Sequence, residues 1–181
     1  DIRCIRVCPK SQLTLNAGAT VCNGRAIHQD ETTGTNDWGG GIVIDGTAKL
    51  VMENGSLIKG CSAEWGGAIY LAGEMEMNGG VISDNTAVGD LYDFGGEMVT
   101  SNAHGGAILI RANRADYDES YDIPAKLTIH DGMIENNKAT SSKSAFGGAI
   151  AILGTWENGA SITNELIIDG GTISNNEAGM G

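Results

Sequence analysis

The sequence predicts an all-β fold, a single-domain parallel β-helix in which about five coils of chain stack on one another. Two observations predict it: a unit that recurs at intervals as short as 25 residues, and a period-two alternation of apolar residues inside each unit. A unit of this length that recurs along a chain is typical of a solenoid. Alternation over four or five residues bounded by Gly indicates strands. No window keeps the i, i+3, i+4, i+7 spacing for a dozen residues, which excludes solenoids built from helices.

The repeated unit has two elements. The first reads apolar, any, apolar, a polar pair or Gly, Gly, Ile or Val, two polar residues, Asn, any, Ala, and it occurs at Leu13–Ala26, Leu50–Ala63, Met75–Ala87, Leu127–Ala139 and Leu166–Ala178. The second is GGGI or GGAI, at Gly39–Ile42, Gly66–Ile69, Gly105–Ile108 and Gly147–Ile150. We therefore predict an N-terminal cap at 1–12 and β-helix repeats at 13–181, with coils that start near 13, 50, 75, 127 and 166. The uneven spacing predicts insertions at 30–37, 88–104, 111–125, 139–145 and 154–164.

Composition narrows the function classes. The 181 residues include 28 Gly without a strict every-third-residue period, which excludes collagen and indicates many tight corners. Acidic residues outnumber basic ones 23 to 11, for a net charge of −12, so we expect no nucleic-acid partner and no anionic membrane. The longest apolar runs are far shorter than the roughly 20 residues of a membrane helix, and we expect no membrane insertion. Because the sequence begins without Met or a leader pattern, we interpret residue 1 as a mature or excised start.

Two sets of residues are interpreted as structural. Paired glycines let the chain turn before each Ala-Ile strand, and they are Gly66, Gly67, Gly105, Gly106, Gly147 and Gly148. Asn85, Asn137 and Asn176 occupy one position of the repeat, with Cys61 in their place in the second repeat. Since an Asn amide can hydrogen-bond up and down a stack, we predict an asparagine ladder. A ligand-binding role for these asparagines is the alternative.

The motifs resemble a known group of surface proteins. GGAI paired with Ile-x-x-Asn, as in Ile82–Asn85, Ile134–Asn137 and Ile173–Asn176, is similar to the repeats of chlamydial polymorphic outer-membrane proteins. It also resembles the β-helix regions of adhesin-like surface proteins of gut bacteria and archaea, which the Ile in place of Phe favours. The resemblance covers almost the whole chain after residue 12. It implies a right-handed helix of the pectin-lyase-like class, secreted or held at the cell surface, and it implies little about the ligand.

Four cysteines lie in the first third of the chain: Cys4, Cys8, Cys22 and Cys61. Their spacing contains no CxxC pair and the histidines are remote, so the pattern does not favour a zinc site. An even number of cysteines in an exported protein favours one or two disulfides that fasten the N-terminal cap, with the connectivity left open.

Aromatic residues recur immediately before the double glycine, at Trp38, Trp65, His104 and Phe146. In stacked coils these rings form a column, which we interpret as structural stacking; together with Tyr70 they are also the candidate ligand-binding residues, as a platform for sugar rings. A second column points outward between the Ile and Leu positions and consists of Val43, Tyr70, Leu109 and Ala151. An outward apolar column is either covered by loops or used as an interface, and we expect cover.

The charged residues give only a weak indication of a metal site or of acid/base catalysis. An acidic run in the longest insertion, Asp116, Asp118, Glu119 and Asp122, has enough oxygen ligands for Ca²⁺ but lacks the EF-hand order, and we interpret it as a solvated loop. The polar column on the first strand is Glu53, Asn78, His130 and Asp169, in which His130 beside Asp169 is the pair that resembles an acid/base couple. The signatures of polysaccharide hydrolases (NTD, DD and GHG) are absent from the sequence, and we expect no catalytic residues.

These observations predict a non-enzymatic, extracellular structural or adhesin-like module of a bacterial or archaeal surface protein. The expected partner is a host or microbial surface glycan or protein. The alternative is a carbohydrate-binding or polysaccharide-degrading β-helix that uses the aromatic face. In earlier repeats a GG[AG]I strand follows, whereas Gly179, Met180 and Gly181 follow the last one. We therefore expect the last edge to be covered by further coils, by a cap or by end-to-end self-association.

Overall fold

A computed structural model describes residues 4–26, 38–89, 91–94, 97–112, 123–157 and 160–180. These residues form strands, turns and irregular connections, and they contain no helix. Accordingly, no helix in this part of the chain is long and apolar enough to span a membrane. The prediction of an all-β protein is confirmed.

The described residues form 24 strands, most of them three or four residues long. In chain order they are β1 (Ile5–Val7), β2 (Gln12–Leu15), β3 (Thr20–Cys22), β4 (Arg25–Ala26), β5 (Ile42–Ile44), β6 (Lys49–Met52), β7 (Leu57–Lys59), β8 (Ser62–Ala63), β9 (Ile69–Leu71), β10 (Glu74–Ser83), β11 (Thr86–Val88), β12 (Leu91–Phe94), β13 (Glu97–Thr100), β14 (Ala103–His104), β15 (Ile108–Ile110), β16 (Lys126–Glu135), β17 (Lys138–Ser141), β18 (Ala145–Phe146), β19 (Ile150–Ile152), β20 (Thr155–Glu157), β21 (Ala160–Ile162), β22 (Glu165–Ile168), β23 (Thr172–Ser174) and β24 (Glu177–Met180).

Three parallel sheets contain most of these strands. Sheet I has the order β1-β5-β9-β15-β19, and its last four strands are the predicted GG[AG]I strands. Sheet II has the order β2-β6-β10-β16-β22, with β3, β7 and β23 paired alongside. Sheet III has the order β4-β8-β11-β17-β24. Neighbours within each sheet come from successive repeats of the sequence, and the predicted parallel pairing is confirmed.

Most equivalent positions of the repeats lie in register, except that β10 and β16 shift after Met77, where Asn78 pairs with Asp131 and not with His130 of the column given above. Ile42 of β5 pairs with Ile69 of β9, and Ile69 pairs with Ile108 of β15. In sheet II, Met75 of β10 lies between Leu50 and Leu127. One apolar cluster joins these residues of sheets I and II, and their side chains are essentially inaccessible to solvent. The core is therefore a set of like residues stacked along the repeat direction, as the alternation predicted.

The column predicted to point outward from sheet I is also buried. Val43, Tyr70, Leu109 and Ala151 form a second apolar cluster against which Trp38, Trp65 and Leu153 pack. Both faces of sheet I are thus covered, which explains why every residue of β5, β9 and β15 is buried. Part of this cover therefore comes from Trp38 and Trp65, two of the aromatic residues that precede the double glycine.

The insertions and the N-terminal segment contain regular strands. Insertion 88–104 contains the antiparallel hairpin β12–β13, and insertion 154–164 contains the antiparallel hairpin β20–β21. Part of segment 139–145 belongs to β17, a regular strand of sheet III. In segment 1–12, Ile5 pairs with Ile42 and Val7 with Ile44, so β1 is the edge strand of sheet I. Insertion 30–37 and residues 113–122 lie outside the described residues.

One corner of the repeat has a left-handed backbone. The φ angles there are positive at Asn23, Gly60, Asp84, Asn136 and Asn175, which occupy the same position in the five repeats. Asn, Asp and Gly adopt this conformation at lower cost than other residues. The sequence around Ile-x-x-Asn therefore fixes the turn between sheets II and III.

Candidate functional site

The candidate site is the column of rings beside sheet I. Single parallel β-bridges pair the backbone of Trp65 with that of Trp38 and with that of His104. His104 in β14 then pairs with Phe146 in β18. The backbone thus holds the four predicted rings at successive levels of the stack, and the structure brings all of them together with Tyr70.

The rings contact one another directly. Trp38 stacks on Tyr70 with centroids 4.7 Å apart and on Trp65 with centroids 6.1 Å apart, both with an interplanar angle of 12°. The ring of His104 meets Trp65 edge to face at 5.7 Å and stacks on Phe146 at 5.0 Å. Such offset and edge-on pairs contribute about 0.5–1.5 kcal/mol each beyond the area they bury.

Arg111 is a member of this site that the sequence analysis missed. Its guanidinium carbon lies 4.9 Å from the centroid of the Trp65 ring, a cation–π geometry. The signal that could have found it is the alternation of β15, since Arg111 follows the outward Leu109 by two positions. The cation covers a ring face that a flat ligand would otherwise need.

Burial sets the electrostatics of the column. The pKa of Tyr70 is raised to about 12, chiefly by burial, so its hydroxyl stays protonated at ordinary pH. The pKa of His104 is lowered from its ordinary value, first by burial and then by the charge of Arg111. Within the described residues, His104 Nδ1 and Trp65 Nε1 are buried without a hydrogen-bond partner. A neutral His104 ring suits a stacked column better than a charged one.

Exposure shows how much of the column a ligand could reach. Tyr70 and His104 are buried, and Trp38 and Trp65 are partly buried. Phe146 is 47% exposed and offers a ring edge or face to solvent. The column as a whole is therefore an internal stack with one accessible end, rather than an open row of sugar-binding platforms.

The predicted asparagine position forms a continuous chain of hydrogen bonds. Nδ2 of Asn85 donates to Oδ1 of Asn137, and Nδ2 of Asn137 donates to Oδ1 of Asn176, both at 2.9 Å. Each Oδ1 also accepts the backbone N–H of the preceding repeat: from Cys61 to Asn85, from Asn85 to Asn137 and from Asn137 to Asn176. Asn85 and Asn137 are buried, so their amides are satisfied by one another and by the backbone.

Cys61 takes the place of an asparagine in this chain of bonds. Its thiol donates to the carbonyl of Lys59 at 3.5 Å, two residues back, as Asn137 donates to Glu135 and Asn176 to Ser174. Hydrogen bonding from the backbone N–H groups of Gly24 and Asn23 to its sulfur favours the thiolate. Burial outweighs them and raises the pKa of the Cys61 thiol to about 11. The thiol therefore acts as a neutral member of the ladder.

All four cysteines carry free thiols in this structure. Cys4 lies against β3, with its Sγ 3.6 Å from the carbonyl oxygen of Cys22. The pKa of Cys4 is raised by burial and, to a lesser extent, by Cys22. Cys8 and Cys22 are exposed. Disulfide bonding of the N-terminal segment stays a prediction, and Cys61 is the least accessible candidate for it.

Two of the predicted glycines show why the GGAI motif needs them. Gly105 has a φ of 66°, and a side chain there would meet the carbonyl oxygen of Ile108. At Gly106 a methyl group would collide with the carbonyl oxygen of Gly148 in the next repeat and approach the backbone of Lys138 to 2.6 Å. The first glycine allows the turn, and the second allows the backbones of two neighbouring repeats to approach closely. The pair Gly66–Gly67 has the same geometry; Gly147 has the same turn, and a side chain at Gly148 would meet the backbone of Glu177.

The polar groups outside the column pair with one another on the surface. His130 Nδ1 lies 3.3 Å from Asp169 Oδ2, with both side chains about half exposed. A cavity of about 490 Å³ lies at the start of the sheet II strands, with Lys126 in its lining. Lys126 pairs with Glu165 at 2.9 Å, and this partner raises the pKa of Lys126 from its usual value.

The described residues contain no cluster of His, Cys, Asp or Glu arranged to hold a metal ion. The candidate Ca²⁺ ligands Asp116, Asp118, Glu119 and Asp122 lie outside the described residues.

No protein-family model matches this chain, and neither a curated protein nor a solved structure matches it significantly.

Proposed function

We propose that this chain is a right-handed parallel β-helix that serves as a non-enzymatic structural or adhesin-like module at the surface of a bacterial or archaeal cell. Three parallel sheets whose neighbouring strands come from successive repeats support the β-helix. The right hand rests on the strong general preference for right-handed crossovers between parallel strands. Surface localisation rests on the resemblance of the GGAI and Ile-x-x-Asn repeats to adhesin-like proteins.

The observation that carries a structural role is the mutual contact of the aromatic residues. Trp38 stacks on both Tyr70 and Trp65, and Arg111 lies over Trp65, so ring faces of all three residues are already occupied. The same side chains bury the outer column of sheet I. The candidate binding residues therefore contribute to the fold, and an extended rod of this kind suits a stalk or a scaffold that presents loops.

A carbohydrate-binding function is the second candidate, and one observation favours it. Phe146 exposes nearly half of its surface at the end of the column and stacks on His104, whose Nδ1 has no partner among the described residues. Aromatic side chains with a small number of polar groups beside them are the usual lining of a small-molecule site. The partner in this case would be a host or microbial surface glycan.

A glycan array separates the two candidates. The structural proposal predicts no selective binding of the wild-type chain to the array. It also predicts that incubation with pectin, alginate or xylan releases no reducing ends or unsaturated sugars. Selective binding that Phe146→Ala abolishes and Ile123→Ala retains would replace it with the carbohydrate-binding function. Ile123 is the matched control because it is another exposed apolar side chain.

A further inference from the structure

The cavity of about 490 Å³ beside the first residues of the sheet II strands has no role in the functions considered so far. It lies at the corner where successive repeats pass from sheet I to sheet II. Residues 45–48 and 72–73 lead into β6 and β10, whereas the longer segments 111–125 and 153–164 lead into β16 and β22. All four segments contribute to the lining. The volume lies within the range of about 300–1,000 Å³ that is usual for small-molecule sites.

The strand residues that line this cavity alternate in charge. Lys49 of β6 pairs in register with Glu74 of β10, and Glu74 pairs with Lys126 of β16. Lys126 pairs in turn with Glu165 of β22. We call these four residues the charged column, and all of them belong to the lining of the cavity. The repeat thus places two cations and two anions along one side of a concave site.

In the charged column, Glu74 is the residue whose side chain has no partner among the described residues. Nζ of Lys126 lies 2.9 Å from a carboxylate oxygen of Glu165, and Nζ of Lys49 lies 2.9 Å from one of Glu76. Both ammonium groups are thus neutralised by other carboxylates, while the exposed carboxylate of Glu74 forms no hydrogen bond or ion pair there. The uncompensated charge at the cavity is therefore negative. The net charge of −12 on the whole chain adds to this preference for cations.

The longer segments supply an apolar part of the lining and hold it in place. Ile123 and Pro124 lie in the lining, and Ile123 is 40% exposed although it is a large apolar side chain. The amide of Asn164, also in the lining, is already used by the backbone. Its Oδ1 accepts the N–H of Ala125 at 2.9 Å, and its Nδ2 donates to the carbonyl of Leu153. A ligand therefore meets a free carboxylate beside a supported apolar surface.

We propose that this cavity binds a small organic monocation, in which one ammonium group is attached to an apolar body of about six to ten carbon atoms. Glu74 accepts hydrogen bonds from the ammonium group, and Ile123 and Pro124 contact the apolar body. A second ammonium group on the ligand would meet Lys49 or Lys126, which favours a single charge over a polyamine. The described lining contains no aromatic ring on which a sugar could stack. The site depends on the cavity and the charged column, so it holds whether or not the chain acts at a cell surface.

The test titrates hexylammonium, hexanol and hexanoate, which share a chain length and differ in charge, into the isotope-labelled chain. NMR follows the backbone amides of Gly73, Glu74 and Lys126. Saturable shifts are expected with hexylammonium, at least tenfold weaker binding with hexanol, and none with hexanoate. Glu74→Gln should weaken the binding of hexylammonium at least tenfold, whereas Glu177→Gln, which removes the same charge beside Lys138 in sheet III, should leave it unchanged. Equal affinity of wild type and Glu74→Gln, or no saturable shift up to about 20 mM hexylammonium, would overturn the proposal.

A second variant separates binding in the cavity from simple pairing with an exposed carboxylate. Ile123→Trp keeps Glu74 and places a larger side chain in the lining, so it should occupy the space that the apolar body needs. We expect at least a tenfold loss of affinity for hexylammonium, with circular dichroism and thermal unfolding like those of wild type. Unchanged affinity in Ile123→Trp would overturn the proposal, because Glu74 would then bind the cation at the surface without the cavity.

Discussion

Asn85 and Asn137 are joined side chain to side chain across two repeats that lie 52 residues apart in sequence, with Nδ2 of Asn85 donating to Oδ1 of Asn137 at 2.9 Å. The same Oδ1 accepts the backbone N–H of Asn85 at 3.0 Å. Because both residues are buried, each lost partner would leave a polar group in the interior without water. The pair thus requires this register of the strands and an asparagine at both positions.

Replacement of Asn137 should cost much of the stability of the fold. Asn137→Ala removes the acceptor of Asn85 and the donor to the carbonyls of Ile82 and Glu135. We expect a loss of about 3 kcal/mol in the free energy of unfolding, since each buried group left unpaired costs about 1–3 kcal/mol. Urea denaturation measures it. Asn78→Ala, which removes an exposed bond to Glu53, is the matched control and should cost less than about 1 kcal/mol.

The second glycine of the GGAI motif should not tolerate even a methyl group. Gly106→Ala places Cβ against the carbonyl oxygen of Gly148, where the backbone of two repeats meets. We expect destabilisation of about 1–3 kcal/mol or failure to fold, as for other overpacked sites. Thermal unfolding followed by circular dichroism measures it. At Gly154 a methyl group would meet nothing within 4 Å, so Gly154→Ala should leave the midpoint nearly unchanged; equal midpoints for the two variants would contradict the close approach.

His104 should make stability fall in mild acid. Burial and Arg111 lower its pKa, so the folded chain keeps the ring neutral while the unfolded chain takes up a proton below about pH 6.5. Stability is therefore lost as the pH falls below 6.5. His104→Phe keeps a ring in the column and should flatten the change in unfolding free energy between pH 7.5 and 5.5. His130→Gln, at an exposed histidine, is the control; an identical slope in wild type and His104→Phe would refute the prediction.

Cys61 should be the last of the four thiols to react. Its sulfur is buried in the ladder and its pKa is raised to about 11, so little thiolate is present at pH 8. Mass spectrometry after timed alkylation with iodoacetamide should find Cys8 and Cys22, which are exposed, modified well before Cys61. The raised pKa also means that the folded state loses stability from about pH 9 towards 11, where the unfolded thiol ionises first. Early modification of Cys61 would exclude its place in the ladder.

Much of the architecture could be predicted because short stretches of consecutive residues determine each strand and turn of the repeat. The alternation at Ile42 and Ile44 and the paired glycines place the strands of sheet I, and the Ile-x-x-Asn motif places the ladder. Cover of the column that contains Tyr70 was expected, but its stacking against Trp38 could not be predicted, since Trp38 approaches from another segment of the stack. Arg111 was missed for the same reason: its contact with Trp65 joins residues 46 positions apart.

The N-terminal segment and the cysteines show a second limit of the sequence pattern. Ile5 and Val7 alternate like Ile42 and Ile44, yet two alternating residues are too few to predict a strand within segment 1–12. The repeat places Cys61 at an asparagine position, but its hydrogen bond to Lys59 and its burial become visible only in the structure. Residue type alone favoured a disulfide at that position.

Side-chain amide hydrogen exchange by NMR tests the central claim most directly, because the account places the Asn85 and Asn137 amides inside a ladder that joins successive repeats. We predict that the Nδ2 protons of both residues exchange at least 100-fold more slowly than those of the exposed Asn78, on the order expected for buried and fully bonded groups. Exchange of the Asn85 and Asn137 amides at the rate of Asn78 would contradict the ladder and the stacking of repeats that depends on it.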